Sequence, residues 1–241
     1  MKKITIAVIL FFLFIISSKS PAQSADDIIN KHIEAIGGLD VIKSIKTMKL
    51  SGTVAVSGFN LPLTITFKRK LKVRLEVKFQ ELSQVQAFDG KEAWQTDISN
   101  GGEIPEKMSD KEAEDLKTTA DFEGLMVNYK KKGYNASLIG KEKLDSAETY
   151  KISIANKSGD SVYYYIEMKT FLVLKRTKIS KDHITDTYYK NYNEYSGLIL
   201  PTSLDVNPEG AEESQKVIFD KIEINLKVDD SIFKMPELKE K

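Results

Sequence analysis

The amino-acid sequence predicts a mainly β protein with a few helices, built on an antiparallel sheet that has one apolar and one polar face. Three observations predict this class. Apolar and polar residues alternate along most of the chain, which is the pattern of half-buried strands. Turn signals separate the alternating runs at short, regular intervals. A Gly/Pro loop and a helical segment interrupt the series only once, before residue 129.

The composition limits the kinds of function that are open to the chain. Of its 241 residues, 36 are basic and 35 are acidic, and the two signs are interspersed. The chain therefore lacks the positive patch that nucleic-acid binding requires, and we expect no nucleic-acid partner. It contains no cysteine, which excludes disulfide bonds, thiolate metal sites and a cysteine nucleophile.

Residues 1–22 have the organisation of a signal peptide. Lys2 and Lys3 precede an apolar run over residues 4–16, and Ser20 and Ala22 follow with the small-residue spacing that a signal peptidase recognises. The apolar run is shorter than the roughly 20 residues that a membrane-spanning helix needs. We predict export to the periplasm with removal of residues 1–22. Because no cysteine follows, the mature chain is not expected to be a lipoprotein itself.

The mature chain is expected to begin with a helix. Ser24 and Asp27 fit a capping box, and Gly37 supplies a glycine end. The apolar stripe of this helix recurs every three or four residues, at Ile29, Ile33 and Ile36. His32 lies one position from the stripe, and the chain has only one other histidine, His183. We interpret His32 as a surface or rim residue and predict no metal site.

Alternating patterns predict about eleven strands in all. The first three cover residues 48–57, 61–68 and 72–79, and short connections make them antiparallel neighbours. A basic cluster lies on the second and third of these strands: Lys68, Arg69, Lys70, Lys72 and Arg74. We interpret this cluster as a solvated strand face that protects a sheet edge. No linker interrupts the later strands, so residues 23–241 are predicted to form a single domain.

Residues 88–129 interrupt the strand series. Asp89-Gly90 is a hairpin signal, and the returning strand carries Trp94, the only tryptophan. Pro105 is expected to break the sheet, and Ser109 with Glu112 fits a second capping box that opens a polar helix over residues 110–119. The insertion is interpreted as a cover over one sheet face. It either completes the core as a capping helix or forms a lid over a cavity.

The sequence has no recognisable catalytic constellation. It contains no P-loop, no glycine-rich dinucleotide turn and no HExxH motif. Neither His32 nor His183 lies in the context of a nucleophile, as a Ser-His-Asp site requires. We therefore expect no enzymatic activity and no cofactor.

Three segments, in this order along the chain, resemble the outer-membrane lipoprotein-sorting (LolA/LolB-like) carrier superfamily. They are the basic segment 68–74, the hairpin 88–94 with its Asp-Gly-x-x-x-Trp pattern, and the C-terminal segment 228–236. Residues 33–39 also resemble a subgroup of small secreted members, whereas Lys70 stands where the family has proline. The resemblance implies an incomplete, half-open antiparallel barrel that is strongly curved and covered by helices.

The resemblance also implies a function: a periplasmic carrier or binder of lipid or lipoprotein acyl chains, in lipoprotein sorting or envelope lipid handling. Its partners would be a lipid or an acylated lipoprotein and, transiently, transport components of the inner or outer membrane. A lipid tail gains roughly 0.8 kcal/mol per methylene buried, so a carrier needs an apolar lining and a movable cover. The alternative is a non-catalytic structural or interaction domain of the envelope with a filled barrel.

Specific residues follow from this implied function. The lining is predicted to consist of the inward residues Leu75, Val77, Phe79, Phe88 and Trp94. The cover is predicted to consist of Leu116, Phe122, Leu125 and Met126.

Overall fold

The computed structural model describes residues 23–97, 104–157, 160–180, 183–211 and 213–237. The predicted signal peptide and the predicted glycine turn at residues 100–102 lie outside these ranges. Within the described ranges, no helix has both the length and the apolar character needed to cross a bilayer.

The elements follow one another as two strand series around a central helix. The first half comprises α1 (Ala25–Ala35), α2 (Gly38–Ser44), β1 (Thr47–Val56), β2 (Phe59–Lys68), β3 (Lys72–Phe79), β4 (Leu82–Phe88), β5 (Ala93–Thr96), β6 (Pro105–Lys107) and α3 (Asp110–Ala120). The second half comprises β7 (Asn135–Leu144), β8 (Ala147–Ala155), β9 (Ser161–Glu167), β10 (Val173–Ser180), β11 (His183–Tyr195), β12 (Leu198–Pro208), β13 (Gln215–Ile224) and the 3-10 helix η1 (Asp230–Phe233).

All of these strands belong to one antiparallel sheet that is not closed into a barrel. Strands β1–β6 form one meander and β7–β13 a second, and the pairing of β1 with β13 joins them. The predicted mainly β fold, a half-open sheet covered by helices, is confirmed. The described part has thirteen strands, more than the predicted eleven. Pro105 does not break the sheet but begins the edge strand β6, where a residue without an N–H is tolerated.

Both predicted capping boxes are present. In α1, the Asp27 backbone N–H donates to Ser24 Oγ at 3.1 Å, and the Ser24 N–H donates to Asp27 Oδ2 at 3.0 Å. Ser109 and Glu112 make the same reciprocal pair at the start of α3. These bonds satisfy amides that the first helical turn leaves free, so both helix starts depend on residues close in sequence.

The helices cover one face of the sheet, which we call the inner face; the opposite face is the outer face. Helices α2 and α3 pack over a first core that contains Val73 and Phe88. Helix α1 packs over a second core that contains Ile152 and Ile166. The inner face therefore has two apolar clusters, one in each half of the sheet.

Residues 121–134 link the two cores. The sequence predicts a renewed apolar stripe here, and the structure forms consecutive turns, with left-handed backbone at Gly124 (φ 76°) and Gly133 (φ 84°). Val127 packs into the first core and Met126 into the second. The segment, like α3 before it, covers the inner face.

His32 is buried, so the predicted surface or rim position is wrong. It is 6% exposed, and its Nδ1 donates to the Phe171 carbonyl oxygen at 2.7 Å. Burial lowers the pKa of His32, and the hydrogen bond to Phe171 opposes this effect. Helix α1 therefore contacts the β9–β10 turn through a protonated Nδ1, because the carbonyl can only accept.

Candidate functional site

The inner face of β1–β3 carries a set of apolar residues that the helices do not fully cover. We call this set the apolar wall: Val56, Phe59, Leu61, Ile65, Leu75, Val77 and Phe79. Strand register places all of them on one face, with Val56 opposite Phe59, Ile65 opposite Leu75, and Leu63 opposite Val77. They are half-buried or exposed, whereas the neighbouring first core is buried.

The wall is open at the end farthest from α2. There the rings of Phe59 and Phe79 meet edge to face, with centroids 6.2 Å apart and planes at 83°. Phe59 is 61% exposed, which is unusual for so large an apolar side chain. This aromatic pair forms the rim of the wall.

The structure divides the predicted lining residues among three places. Leu75, Val77 and Phe79 belong to the apolar wall. Phe88 lies on the same face but is buried in the first core beneath α3. Trp94 lies on the outer face.

Hairpin register explains the position of Trp94, and the prediction that it points inward is wrong. Phe88 pairs with Ala93, so Trp94 pairs with Ala87 and takes the opposite face. A shift of one residue in a strand exchanges the faces. On the outer face, Trp94 Nε1 donates to the Phe233 carbonyl oxygen at 2.8 Å.

The predicted cover residues are seated on the sheet. Leu116 and Phe122 pack on the first core, and the Phe122 ring centroid lies 6.0 Å from that of Phe67. Leu125 and Met126 pack on the second core. The structure therefore brings these four residues onto two cores, and does not gather them around one cavity.

Arg69 fastens this cover to the sheet. Its Nε donates to the Ile45 carbonyl at 2.6 Å and its Nη2 to the Ile42 carbonyl at 2.8 Å, at the C-terminal end of α2. Its Nη1 forms an ion pair with Glu123 at 2.5 Å, and its guanidinium carbon lies 5.0 Å from the Phe122 ring centroid. One side chain thus links the end of β2, α2 and the segment after α3.

The outer face is crossed by the C-terminal strap, residues 226–236. Successive strap carbonyls accept hydrogen bonds from side chains on β1, β2, β3 and β5: Thr47 to Leu226, Lys68 to Val228, Arg74 to Ile232 and Trp94 to Phe233. The strap therefore runs across the strands. The Phe233 side chain is 0% exposed.

Most of the basic cluster belongs to the strap contact. Asp230 accepts from Lys68 at 2.6 Å and from Lys72 at 2.9 Å, and these bonds lower the pKa of Asp230 to about 2. Strands β2 and β3 are both interior strands, so the predicted edge-protecting role is wrong for Lys68, Lys72 and Arg74. The three segments that resemble the carrier superfamily, 68–74, 88–94 and 228–236, meet at this contact.

A cleft of about 430 Å³ lies between the strap and the outer face of β1–β3. Most of the residues that line it are polar or charged, including Lys49, Thr66, Arg74 and Glu76. An acyl chain in this cleft would lie against charged side chains, whereas the wall on the inner face offers apolar side chains alone.

The open antiparallel sheet with helices over one face agrees with the fold that the resemblance to the LolA-like superfamily implies. A family model with the description "-like: Uncharacterized protein" matches residues 103–240, and the chain belongs to that family. No curated protein matches the amino-acid sequence.

Solved structures share the fold. A LolA superfamily protein from Nitrosomonas europaea has 16% identity and a TM-score of 0.60, over 89% of this chain and 99% of that one. A DUF1329 family protein from Desulfovibrio piger has 10% identity and a TM-score of 0.61, over 88% and 98%. A domain named for outer membrane lipoprotein sorting, from Vibrio parahaemolyticus, has 8% identity and a TM-score of 0.61, over 87% and 95%. The resemblance predicted from the sequence is confirmed for the fold.

Proposed function

We propose that the protein binds the acyl chain of a lipid or an acylated lipoprotein against the apolar wall and carries it through the periplasm. The observation behind this proposal is the wall itself, because Leu75, Val77 and Phe79 remain incompletely covered and end at an open aromatic rim. Contact with hydrocarbon would remove this apolar surface from water. The LolA-like fold and the name of the Vibrio parahaemolyticus relative support the same function.

Movement of the cover would lengthen the site. In the present arrangement Phe88 and Leu116 are buried together, so a chain that enters at the rim reaches only Leu75 and Ile65. Displacement of α3 and residues 121–134 would extend the apolar surface to Phe88. We infer that Arg69 holds the cover closed, because it bonds both the Ile45 carbonyl after α2 and Glu123 in the cover.

The proposal includes export and a non-catalytic role. Residues 1–22 would direct the chain to the periplasm, and residues 23–241 would act as a single LolA-like domain. Transport components of the inner or outer membrane would be transient partners. No catalytic step is needed, because transfer of an acyl chain between apolar surfaces breaks no bond.

A filled structural or interaction domain of the cell envelope is the second candidate. The observation that favours it is the close packing of the cover on the sheet, since Leu116, Val127 and Phe88 are all buried. In that case the exposed rim would be a contact surface and the wall would take up no ligand.

Ligand extraction and probe binding distinguish the two candidates. Native mass spectrometry of periplasmically expressed protein should recover a lipid, and a fluorescent acyl probe should bind saturably. Val77→Asp on the wall should weaken probe binding by about tenfold or more, because the carboxylate must be desolvated. The matched control is Lys78→Asp, on the next residue and the opposite face, which should leave binding unchanged. Recovery of no lipid together with no saturable binding would rule out the carrier.

A further inference from the structure

The cleft under the C-terminal strap has more positive than negative charge in its lining. Three cations line it, namely Lys49 of β1, Arg74 of β3 and Lys234 of the strap, whereas Glu76 is the one acid among the described residues of the lining. Glu76 is already engaged, because Arg74 donates to it at 3.2 Å and Lys78 lies 4.0 Å away. The cleft therefore has positive charge that a bound anion would balance.

Neighbouring acids do not balance this charge. Three of them lie outside the lining and have partners of their own: Asp229 with the Ser231 N–H, Asp230 with Lys68 and Lys72, and Glu223 with Lys221. Glu223 lies opposite Lys49 on β13, but its ion pair is with Lys221 at 2.8 Å. In the part of the chain that the structure describes, neither Lys49 nor Lys234 forms an ion pair.

Strand register brings the cations of the sheet together. Lys49 lies directly opposite Thr66, and Thr66 lies directly opposite Arg74, so the three form one row across the outer face. Neighbouring strands are about 4.8 Å apart, so the backbones of Lys49 and Arg74 lie roughly 10 Å apart with Thr66 between them. Lys234 lines the same cleft from the strap. Cationic donors thus come from both sides of the cleft.

Arg74 is held in place by contacts within the protein. Its Nη1 donates to the Ile232 carbonyl and its Nη2 to Glu76, both at 3.2 Å, and its guanidinium carbon lies 5.7 Å from the Trp94 ring centroid. A guanidinium has five N–H donors, so these two bonds leave three for a ligand. Because the side chain is already fixed, it loses little further freedom when it binds an anion.

Hydroxyl groups add neutral donors to the lining. Thr64, Thr66 and Ser231 all line the cleft. Thr66 is only 5% exposed, yet neither its hydroxyl nor that of Thr64 has a hydrogen-bond partner among the described residues. A hydroxyl can donate to an anion as well as accept. The cleft therefore combines cations with hydroxyl groups that are available for a ligand.

We propose that this cleft binds a phosphate group, either of a free phosphate ester or of a lipid headgroup. A phosphate ester presents three strong acceptor oxygens, which suits donors from β1, β3 and the strap. A planar carboxylate would be matched by the guanidinium fork of Arg74 alone. The volume of about 430 Å³ is in the range of small-molecule sites. This site lies on the outer face, so it does not depend on the acyl site of the inner face.

The fluorescence of Trp94 measures binding, because Arg74 lies over its ring. Sodium phosphate, glycerol 3-phosphate, acetate and glycerol are titrated into the protein, with calorimetry as a second readout. Both phosphates should bind saturably, acetate should bind about tenfold more weakly or less, and glycerol should not bind. Acetate binding as tight as that of phosphate would overturn the assignment to phosphate.

Two lysines of the strap supply a matched pair of variants. Lys234 lines the cleft and Lys227 does not, whereas both are exposed and neither forms an ion pair within the described ranges. Lys234→Met should weaken binding of glycerol 3-phosphate about tenfold, and Lys227→Met, which loses the same charge, should leave it unchanged. Lys49→Met, on the sheet side of the cleft, should behave as Lys234→Met does. Circular dichroism checks that each variant is folded.

Vesicles distinguish the two sources of the phosphate. If the protein sediments with phosphatidylglycerol vesicles, and Lys234→Met loses this binding while Lys227→Met keeps it, the phosphate is that of a lipid headgroup. Saturable binding of glycerol 3-phosphate without vesicle binding assigns a free phosphate ester. Equal weakening by Lys234→Met and Lys227→Met, or no saturable binding of any phosphate or vesicle, overturns the site and leaves the carrier proposal standing.

Discussion

The two faces of the sheet are covered in different ways. On the inner face, α3 and residues 121–134 are held by apolar contacts and by the ion pair of Arg69 with Glu123. On the outer face, the C-terminal strap is held by side-chain hydrogen bonds from four strands and by one buried ring, Phe233. Apolar contacts are not directional, whereas hydrogen bonds fix one geometry. The difference supports the proposal that the inner cover moves while the strap stays in place.

The largest effect is expected where the strap inserts its ring. Phe233→Ala should lower the free energy of unfolding by about 3–5 kcal/mol, as for other buried phenylalanines. Urea denaturation followed by circular dichroism measures this. Met235→Ala, two residues away and 50% exposed, is the control and should change stability by no more than about 0.5 kcal/mol. Equal effects of the two substitutions would show that the strap is not anchored by Phe233.

Removal of the Arg69 clamp should have the next largest effect. Arg69→Met leaves Glu123 and the carbonyl oxygens of Ile42 and Ile45 without their donor, which should cost about 2–3 kcal/mol of unfolding free energy. Hydrogen exchange should rise in residues 110–134 and stay unchanged in the strap. Arg69→Lys is the matched control. It keeps the charge but cannot form all three bonds, so its free energy of unfolding should lie between those of the wild type and Arg69→Met. A rise in strap exchange would contradict the independence of the two covers.

Trp94 tests which face binds the ligand. Trp94→Phe removes the bond to the Phe233 carbonyl and should lower the free energy of unfolding by about 1–3 kcal/mol. Affinity for an acyl probe should not change, because the ring is on the outer face. If the loss of binding free energy exceeded the loss of unfolding free energy, Trp94 would contact the ligand and the acyl site would not be confined to the inner face.

The smallest effect concerns pH. Burial lowers the pKa of His32 in the folded state, so the unfolded chain takes up the proton first as the pH falls. The free energy of unfolding should therefore decrease from about pH 7 downward, through the unfolded pKa of about 6.5. His32→Asn, whose amide can still donate to the Phe171 carbonyl, should lose this part of the pH dependence. An unchanged profile in His32→Asn would assign the dependence to other groups.

Features that depend on neighbouring residues could be predicted from the sequence. The capping boxes at Ser24 and Ser109 involve residues three apart, and most strands of the sheet follow from alternation, although β6 at Pro105 does not. The predicted position of Trp94 was wrong, because the face of the sheet on which its side chain lies depends on the register of one hairpin. The partners of Lys68 and Lys72 at Asp230, and of His32 at Phe171, are more than 130 residues away and leave no local signal.

The candidate site was only partly predictable for the same reason. Leu75, Val77 and Phe79 follow from alternation, but the exposed rim at Phe59 requires knowledge of where the helices end.

Contact quenching by a brominated acyl chain tests the central claim most directly, because the chain has a single tryptophan. Two single-tryptophan proteins are compared: the wild type, with Trp94 on the outer face, and a Trp94→Phe, Phe79→Trp double variant that reports from the rim. A dodecanoate brominated on its chain should quench the rim tryptophan saturably and leave Trp94 unquenched. Equal quenching of both, or quenching of Trp94 alone, would contradict an acyl site on the inner face.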